Sequence, residues 1–261
     1  MCGIFGFTMK KLVSMRKVFK TLQKLEVHQF PQETRPVGGY GAGIAVVLED
    51  GSVLTEKVGK TGKSPVEVLI EKVEVNEASV LLGHVRMPSP EFMETAKFRQ
   101  TAQPYVVERD PNLTVVSVHN GKMENYEEVR EKLGKTHLFE SEKHQLIDSE
   151  VIPHYFEQIM SEKTDVSEAL YTFFCSIRGP NAIGMLQVSK EDSFLHLIHK
   201  GKTRGLSVWT NEKGEVVFCS RKAPLTEELG SILAKGKYKE KVSIQHREDA
   251  GLVLSYPLAE R

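Results

Sequence analysis

Cysteine is scarce in this chain, as are unbalanced charge and long apolar runs. Only Cys2, Cys175 and Cys219 occur among 261 residues. An odd number of thiols, this far apart, does not make a disulfide framework, so the chain reads as intracellular and cytoplasmic. Lys+Arg and Asp+Glu both number 35, for a formal net charge of zero. No nucleic-acid or membrane partner is expected from that balance. No apolar stretch approaches the ~18–20 residues that span a bilayer, and no cationic-then-apolar leader opens the chain. The nine histidines do not combine with the cysteines at zinc-ligand spacing, so no metal is expected. There are no repeats, low-complexity tracts or linkers. With 40% hydrophobic residues, the length suits one large domain or two small ones, and residues 1–261 are read as a single domain.

What is present begins at the second residue. The start reads Met1-Cys2-Gly3-Ile4-Phe5-Gly6-Phe7. Removal of Met1, expected when the next residue is as small as Cys, places a thiol and a free α-amine on one residue. A free thiol titrates at roughly 8.5 and an α-amine at roughly 7.7–8.0. The amine can therefore take the thiol's proton near neutrality, directly or through a water, as in N-terminal nucleophiles. Alone, this says little, because most free cysteines are simply small buried hydrophobes.

The coarse pattern is many short strands in hairpins with few helices. Residues 2–7 read as a strand. Leu12, Met15, Val18, Phe19, Leu22 and Leu25 recur at helical spacing, predicting an amphipathic helix over about 10–27. Segments 42–48 and 52–58 flank Glu49-Asp50-Gly51 as a hairpin. Strands are expected at 79–85, 113–119, 182–188, 194–199, 206–211, 215–219, 239–245 and 251–256. Further helices are expected at 65–73, 124–133, 148–160, 166–175 and 224–235. Asn120-Gly121 reads as a tight-turn dipeptide. This arrangement argues for α+β with layered antiparallel sheets rather than a doubly wound fold.

Four further segments stand out: Gly83-His84-Val85-Arg86, Gln103-Pro104-Tyr105, His119-Asn120-Gly121-Lys122-Met123-Glu124-Asn125-Tyr126 and Ile147-Asp148-Ser149-Glu150. With the Met-Cys-Gly-Ile start, this ordered set resembles the class II glutamine amidotransferase domain, a branch of the N-terminal-nucleophile hydrolases. The resemblance spans roughly residues 1–160. It implies a four-layer αββα fold with two stacked, mainly antiparallel sheets. It also implies a glutaminase reaction through a γ-glutamyl thioester, without metal or organic cofactor. Cys2 would be the nucleophile, and the Asn120 side chain with the Gly121 backbone N–H would form the oxyanion hole. Losing one such donor typically costs ~10²–10³ in rate. Arg86 would grip the substrate α-carboxylate, Asp148 would meet the α-ammonium, and His84 is placed at the substrate pocket.

Each residue also has a plainer reading. Asn120-Gly121 is an ordinary hairpin turn, Arg86 a surface arginine and Asp148 a helix N-cap. His84 and His119 are expected to position backbone rather than act as bases. The chain departs from the family's pattern at several points. Gly38 to Gly43 keeps glycines where many members carry a charged pair, Met87 follows the arginine, and Ser220-Arg221 replaces Ser-Glu. The length, with the Gly-His-Val-Arg-Met variant, resembles the standalone amidotransferase subunit of archaeal-type glutamate synthase. That implies glutamine as substrate and a separate synthase subunit as ammonia acceptor. Another N-terminal-nucleophile amidohydrolase and a non-catalytic glutamine-binding regulatory subunit remain the alternatives.

Overall fold

The computed structural model describes residues 2–31, 33–110, 112–163 and 165–259. Met1, and with it the expected processing step, lies outside them. The first half runs β1 (Gly3–Ser14), α1 (Met15–Val27), β2 (Gly41–Val47), β3 (Val53–Gly59), α2 (Pro65–Ile70), β4 (Glu77–Val85), β5 (Tyr105–Asp110), β6 (Leu113–Gly121), α3 (Tyr126–Leu133) and α4 (Asp148–Glu162). The second runs α5 (Val166–Ser176), β7 (Asn181–Ser189), β8 (Phe194–Lys202), β9 (Leu206–Thr210), β10 (Val216–Cys219), α6 (Lys222–Lys235), β11 (Lys239–Ile244) and β12 (Asp249–Pro257). Two 3₁₀ segments, Pro90–Lys97 and Arg99–Thr101, connect β4 to β5.

The strands form a seven-stranded sheet, β11-β9-β10-β1-β4-β2-β3, and a five-stranded sheet, β12-β8-β7-β6-β5. Every pairing between them is antiparallel. Alternation along the strands explains the layering. On β1, Ile4 joins Ala45 and Leu82 in packing against Val116, Leu186 and Leu197 of the second sheet. Its neighbours Phe5 and Phe7 face the other way, onto Leu22, Leu25, Leu69 and Leu229 of α1, α2 and α6. On the far side, Val115 and Ile183 meet Val129, Phe156 and Phe173 of α3, α4 and α5. Each such side chain, fully buried, contributes about 1.5–3 kcal/mol. The result is the expected αββα stack of two antiparallel sheets between helical layers.

Two local expectations are corrected. The helix predicted from residue 10 starts at Met15, because β1 continues through a register shift to pair Val13 with Ala78 and Ser14 with Glu77. Helical spacing at Leu12 and Met15 thus straddles a strand end. Asn120-Gly121 is not a turn. Both residues end β6, opposite Ala182 and Asn181 of β7. A Cβ at position 121 would overlap the Pro180 carbonyl oxygen, so the glycine serves a close backbone approach rather than a bend. Strand β5 was not anticipated from the sequence; its last three residues, Glu108, Arg109 and Asp110, are exposed and charged.

Buried imidazoles give the fold an acid sensitivity. Burial pushes His196 down to about 3, and burial followed by the charges of His137, Arg130 and Arg109 pushes His154 to about 3. An unfolded histidine titrates near ~6.5, so below that value the unfolded chain binds protons that the folded one refuses. Stability is therefore complete above pH ~6.5 and falls as pH drops toward 3. Between pH 7.5 and 5.0 each group is expected to cost about 2 kcal/mol. Guanidinium unfolding midpoints at the two pH values test this. A midpoint independent of pH, or one unaffected by His154→Gln with His196→Gln, would contradict it.

Candidate active site

Cys2 precedes the first residue of β1, a strand in the middle of the larger sheet. Gly3 pairs with Val85, the last residue of β4, so Arg86 emerges beside Cys2. The backbone of Arg86 is pinned there, its N–H donating to Gly41 O at 2.7 Å and its carbonyl accepting from Tyr40 N–H at 3.0 Å. The end of β6, in the other sheet, brings Asn120 to the same place. Cys2 N–H donates to Asn120 Oδ1 at 3.3 Å across 118 residues of sequence. The thiol lies 3.6 Å from the Met87 carbonyl oxygen.

Cys2, Arg86, Asn120, Gly121 and Asp148 all line one cavity of ≈ 520 Å³. Asn120 is oriented from two directions, by Cys2 N–H on its side-chain oxygen and by Thr203 Oγ1 donating to its backbone carbonyl at 3.0 Å. Its amide nitrogen is buried and has no hydrogen-bond partner. An unmade bond to a buried donor is costly unless a ligand or water supplies the acceptor. This nitrogen therefore suits an oxygen that arrives in the cavity.

Arg86 is 3% exposed, with Nη1 donating to Thr101 Oγ1 at 2.6 Å and Nη2 to Thr95 Oγ1 at 3.1 Å. Two of its five N–H donors are used, which leaves three. Burial lowers its guanidinium below the usual range, opposed by charge at Tyr105, Cys2 and Asp148. Asp148 sits in the first turn of α4, but the cap position is Ile147. Its Oδ2 accepts from Met123 N–H at 2.9 Å and its Oδ1 from Ser149 Oγ at 3.3 Å. Ionised, it still has lone pairs to offer. The cavity thus presents a thiol, an unpartnered amide donor, a guanidinium and a carboxylate.

His84 does not belong with them. It is fully buried between the sheets, outside the cavity lining, with both ring nitrogens lacking a hydrogen-bond partner. Burial, then the charges of Arg86 and His119, holds it well below the usual histidine range. Its place on β4, two residues before Arg86, turns it toward the inter-sheet layer that also takes Val80 and Leu82. The expectation that it meets substrate is corrected on that ground.

Supporting residues surround the cavity groups, and His119 is in the positioning place expected of it. Gln103 brackets His119, accepting from its backbone N–H at 2.6 Å and donating to its carbonyl at 3.1 Å. It also donates to Ser149 Oγ at 3.1 Å. His119 in turn bonds Ser149 Oγ at 2.8 Å and Asn181 Oδ1 at 2.9 Å. Burial keeps its imidazole below the usual range despite Asp148 nearby. These groups hold the strand end on which Asn120 and Gly121 sit. Thr95, Thr101 and Thr203 act likewise on Arg86 and Asn120. No group of three or more His, Cys, Asp or Glu able to hold a metal occurs among the described residues, and no helix there is long and apolar enough to cross a membrane.

Known proteins resemble this chain in sequence and in fold. The sequence profile of the family described as "Glutamine amidotransferase domain" matches residues 92–227, a span that holds Asn120, Gly121 and Asp148 but neither Cys2 nor Arg86. The glutamine–fructose-6-phosphate aminotransferase (isomerizing) of Sulfurisphaera tokodaii is 32% identical over 193 residues, 70% of this chain. The chain spans only 28% of that relative's length. Among solved structures, an allosteric regulatory enzyme of purine biosynthesis superposes with a TM-score of 0.66 at 16% identity, over 100% of this chain and 50% of the other. Glutamine phosphoribosylpyrophosphate amidotransferase from B. subtilis gives 0.63 at 16% identity, with the same coverage. Those two likenesses establish the shared fold, while the profile match covers more than half of the sequence. The chain belongs to the class II glutamine amidotransferase domain family.

Proposed function

We propose that residues 1–261 act as one glutaminase unit, with Cys2 as the nucleophile. Once Met1 is removed, the Cys2 α-amine takes the thiol proton, and Sγ attacks the side-chain carboxamide of glutamine. The carbonyl oxygen, now negatively charged, is met by Asn120 Nδ2 and the Gly121 backbone N–H. Collapse expels ammonia, which carries the proton delivered by the amine, and leaves a γ-glutamyl thioester on Cys2. Water then cleaves the thioester to glutamate, restoring the thiol. Arg86 grips the α-carboxylate and Asp148 the α-ammonium, so that the site selects a free amino acid over a simple amide. Asn120 Oδ1, accepting from Cys2 N, holds the base beside the nucleophile it serves.

The observation that carries this reading is the convergence of Cys2 with the unpartnered Asn120 amide, Arg86 and Asp148 in one cavity. Ammonia passes to a synthase, and the resemblance noted in the sequence makes a separate glutamate-synthase-type subunit the proposed acceptor. The test is intact mass before and after treatment with a diazo-ketone analogue of glutamine, followed by peptide mapping. One adduct on Cys2 of a chain that has lost Met1, blocked by excess glutamine, is expected. A processed chain that takes no adduct and releases no ammonia from glutamine would overturn the proposal.

A further inference from the structure

A second guanidinium in the cavity of the nucleophile has no part in the reaction as written. Arg204, in the turn between β8 and β9, lines the same cavity as Cys2. Burial lowers both Arg86 and Arg204, and charge on Cys2 is among the groups opposing that in each case. Both guanidiniums line the cavity that Cys2 lines. They are held differently. Arg86 is tied by the uncharged hydroxyls of Thr95 and Thr101. Arg204 is paired with a carboxylate, Nη1 donating to Glu33 Oε1 at 3.3 Å.

That one oxygen is shared. His246 Nε2 lies 3.3 Å from it, and Arg247 Nη2 donates to it at 2.9 Å. Burial works to raise the Glu33 carboxyl, but Arg204, His246 and Arg247 outweigh it and the net shift is downward. Glu33 is therefore an ionised group divided among three neighbours. The surroundings fix it in place. Phe30 stacks on His246 at 4.1 Å, Arg221 lies 4.1 Å over the Phe30 ring, and Arg221 donates to the Arg204 carbonyl. The adjoining run Gly38 to Gly43 contributes no charged side chain.

We propose that Arg204 is a positioning residue for the chemistry of Cys2: its charge holds the thiolate, and Glu33 sets how strongly by competing for the same guanidinium. The proposal rests on Cys2 being the nucleophile. The charged groups sharing the cavity with Cys2 are Glu33 and Arg35 from the segment before β2, Arg86 from the end of β4, Glu91 from the first 3₁₀ segment, Lys122 just after β6, Asp148 from α4, Lys202 and Arg204 from β8 and its turn, and Arg247 from the β11–β12 turn. The buried His119 imidazole faces it too. Among these, removal of Arg204 and removal of the Glu33 charge act on the thiolate with opposite signs.

The test is the rate of iodoacetamide capture at Cys2 in the full chain, followed by peptide mapping to separate it from the exposed Cys175. Rates are read from pH 6 to 9. Arg204→Gln is expected to slow capture at pH 7 by about three- to tenfold and to displace the profile toward higher pH. Arg204→Lys restores most of the rate. Glu33→Gln is expected to speed capture by about twofold or more and to move the profile the other way. Equal rates in wild type, Arg204→Gln and Glu33→Gln, or a change of the same sign in both variants, would overturn the proposal. Should Arg204→Gln fail to fold, Glu33→Gln decides alone, and unchanged or slower capture refutes it. Alkylation needs no glutamine. Failure of the glutaminase reading would show as absent hydrolysis with these shifts intact, and failure of the Arg204 role as the converse.

Discussion

Cys2→Ser is expected to lower glutamine hydrolysis by at least ~10³-fold while leaving glutamine binding within about threefold. A hydroxyl in the same place is a far weaker nucleophile near neutrality. The groups proposed to hold the amino-acid end, Arg86 and Asp148, are anchored by Thr95, Thr101, Met123 and Ser149 and do not depend on the thiol. Ammonia release and equilibrium binding of labelled glutamine, measured on one preparation, separate the two effects. Retained hydrolysis would place the nucleophile elsewhere. Lost binding would mean that the thiol organises the pocket, and the pocket assignment would then need revision.

Asn120→Ala is expected to lower kcat by ~10²–10³ with KM within a few-fold, the pattern of an interaction made only as the oxyanion forms. Alanine also removes the oxygen that accepts from Cys2 N–H, so the variant alone mixes two roles. Asn120→Asp separates them. It keeps an acceptor for Cys2 and replaces the unpartnered amide donor with negative charge where the oxyanion would develop. It is expected to be at least as damaging as alanine. Activity near wild type in Asn120→Asp would remove the side-chain amide from the oxyanion hole. Folding is checked by thermal melting, since Thr203 bonds the backbone carbonyl, which both variants retain.

Much of the architecture was legible without coordinates. Short apolar runs and turn residues marked most of the strands, and helical spacing marked the apolar face of α1. The errors have physical causes. Leu12 sits near the helical repeat of α1, yet pairing with β4 holds the chain extended through Ser14, and sheet hydrogen bonds outweigh a weak local preference. Asn120-Gly121 has turn chemistry, but antiparallel pairing with β7 and the close Pro180 carbonyl keep it in the strand. His84, placed at the pocket by the resemblance of Gly83-His84-Val85-Arg86 to the family's pattern, is turned by the strand's alternation into the space between the sheets.

The sequence by itself determined which groups are proposed to carry chemistry here, because a thiol at the second position, an Asn-Gly pair, an arginine at a strand end and an aspartate opening a helix are each fixed by residue type and short-range spacing. It also carried the order of strands and helices, since apolar runs and turn residues recur along it. Only the tertiary structure decided what holds those groups and at what charge. Gln103 reaches the backbone of His119, Thr203 reaches the Asn120 carbonyl 83 residues away, and Arg204 meets Glu33 across 171. Such pairs follow from the register of two sheets and from how their ends face one another. A side chain's partner at that range is set by packing, which no local pattern in the chain encodes.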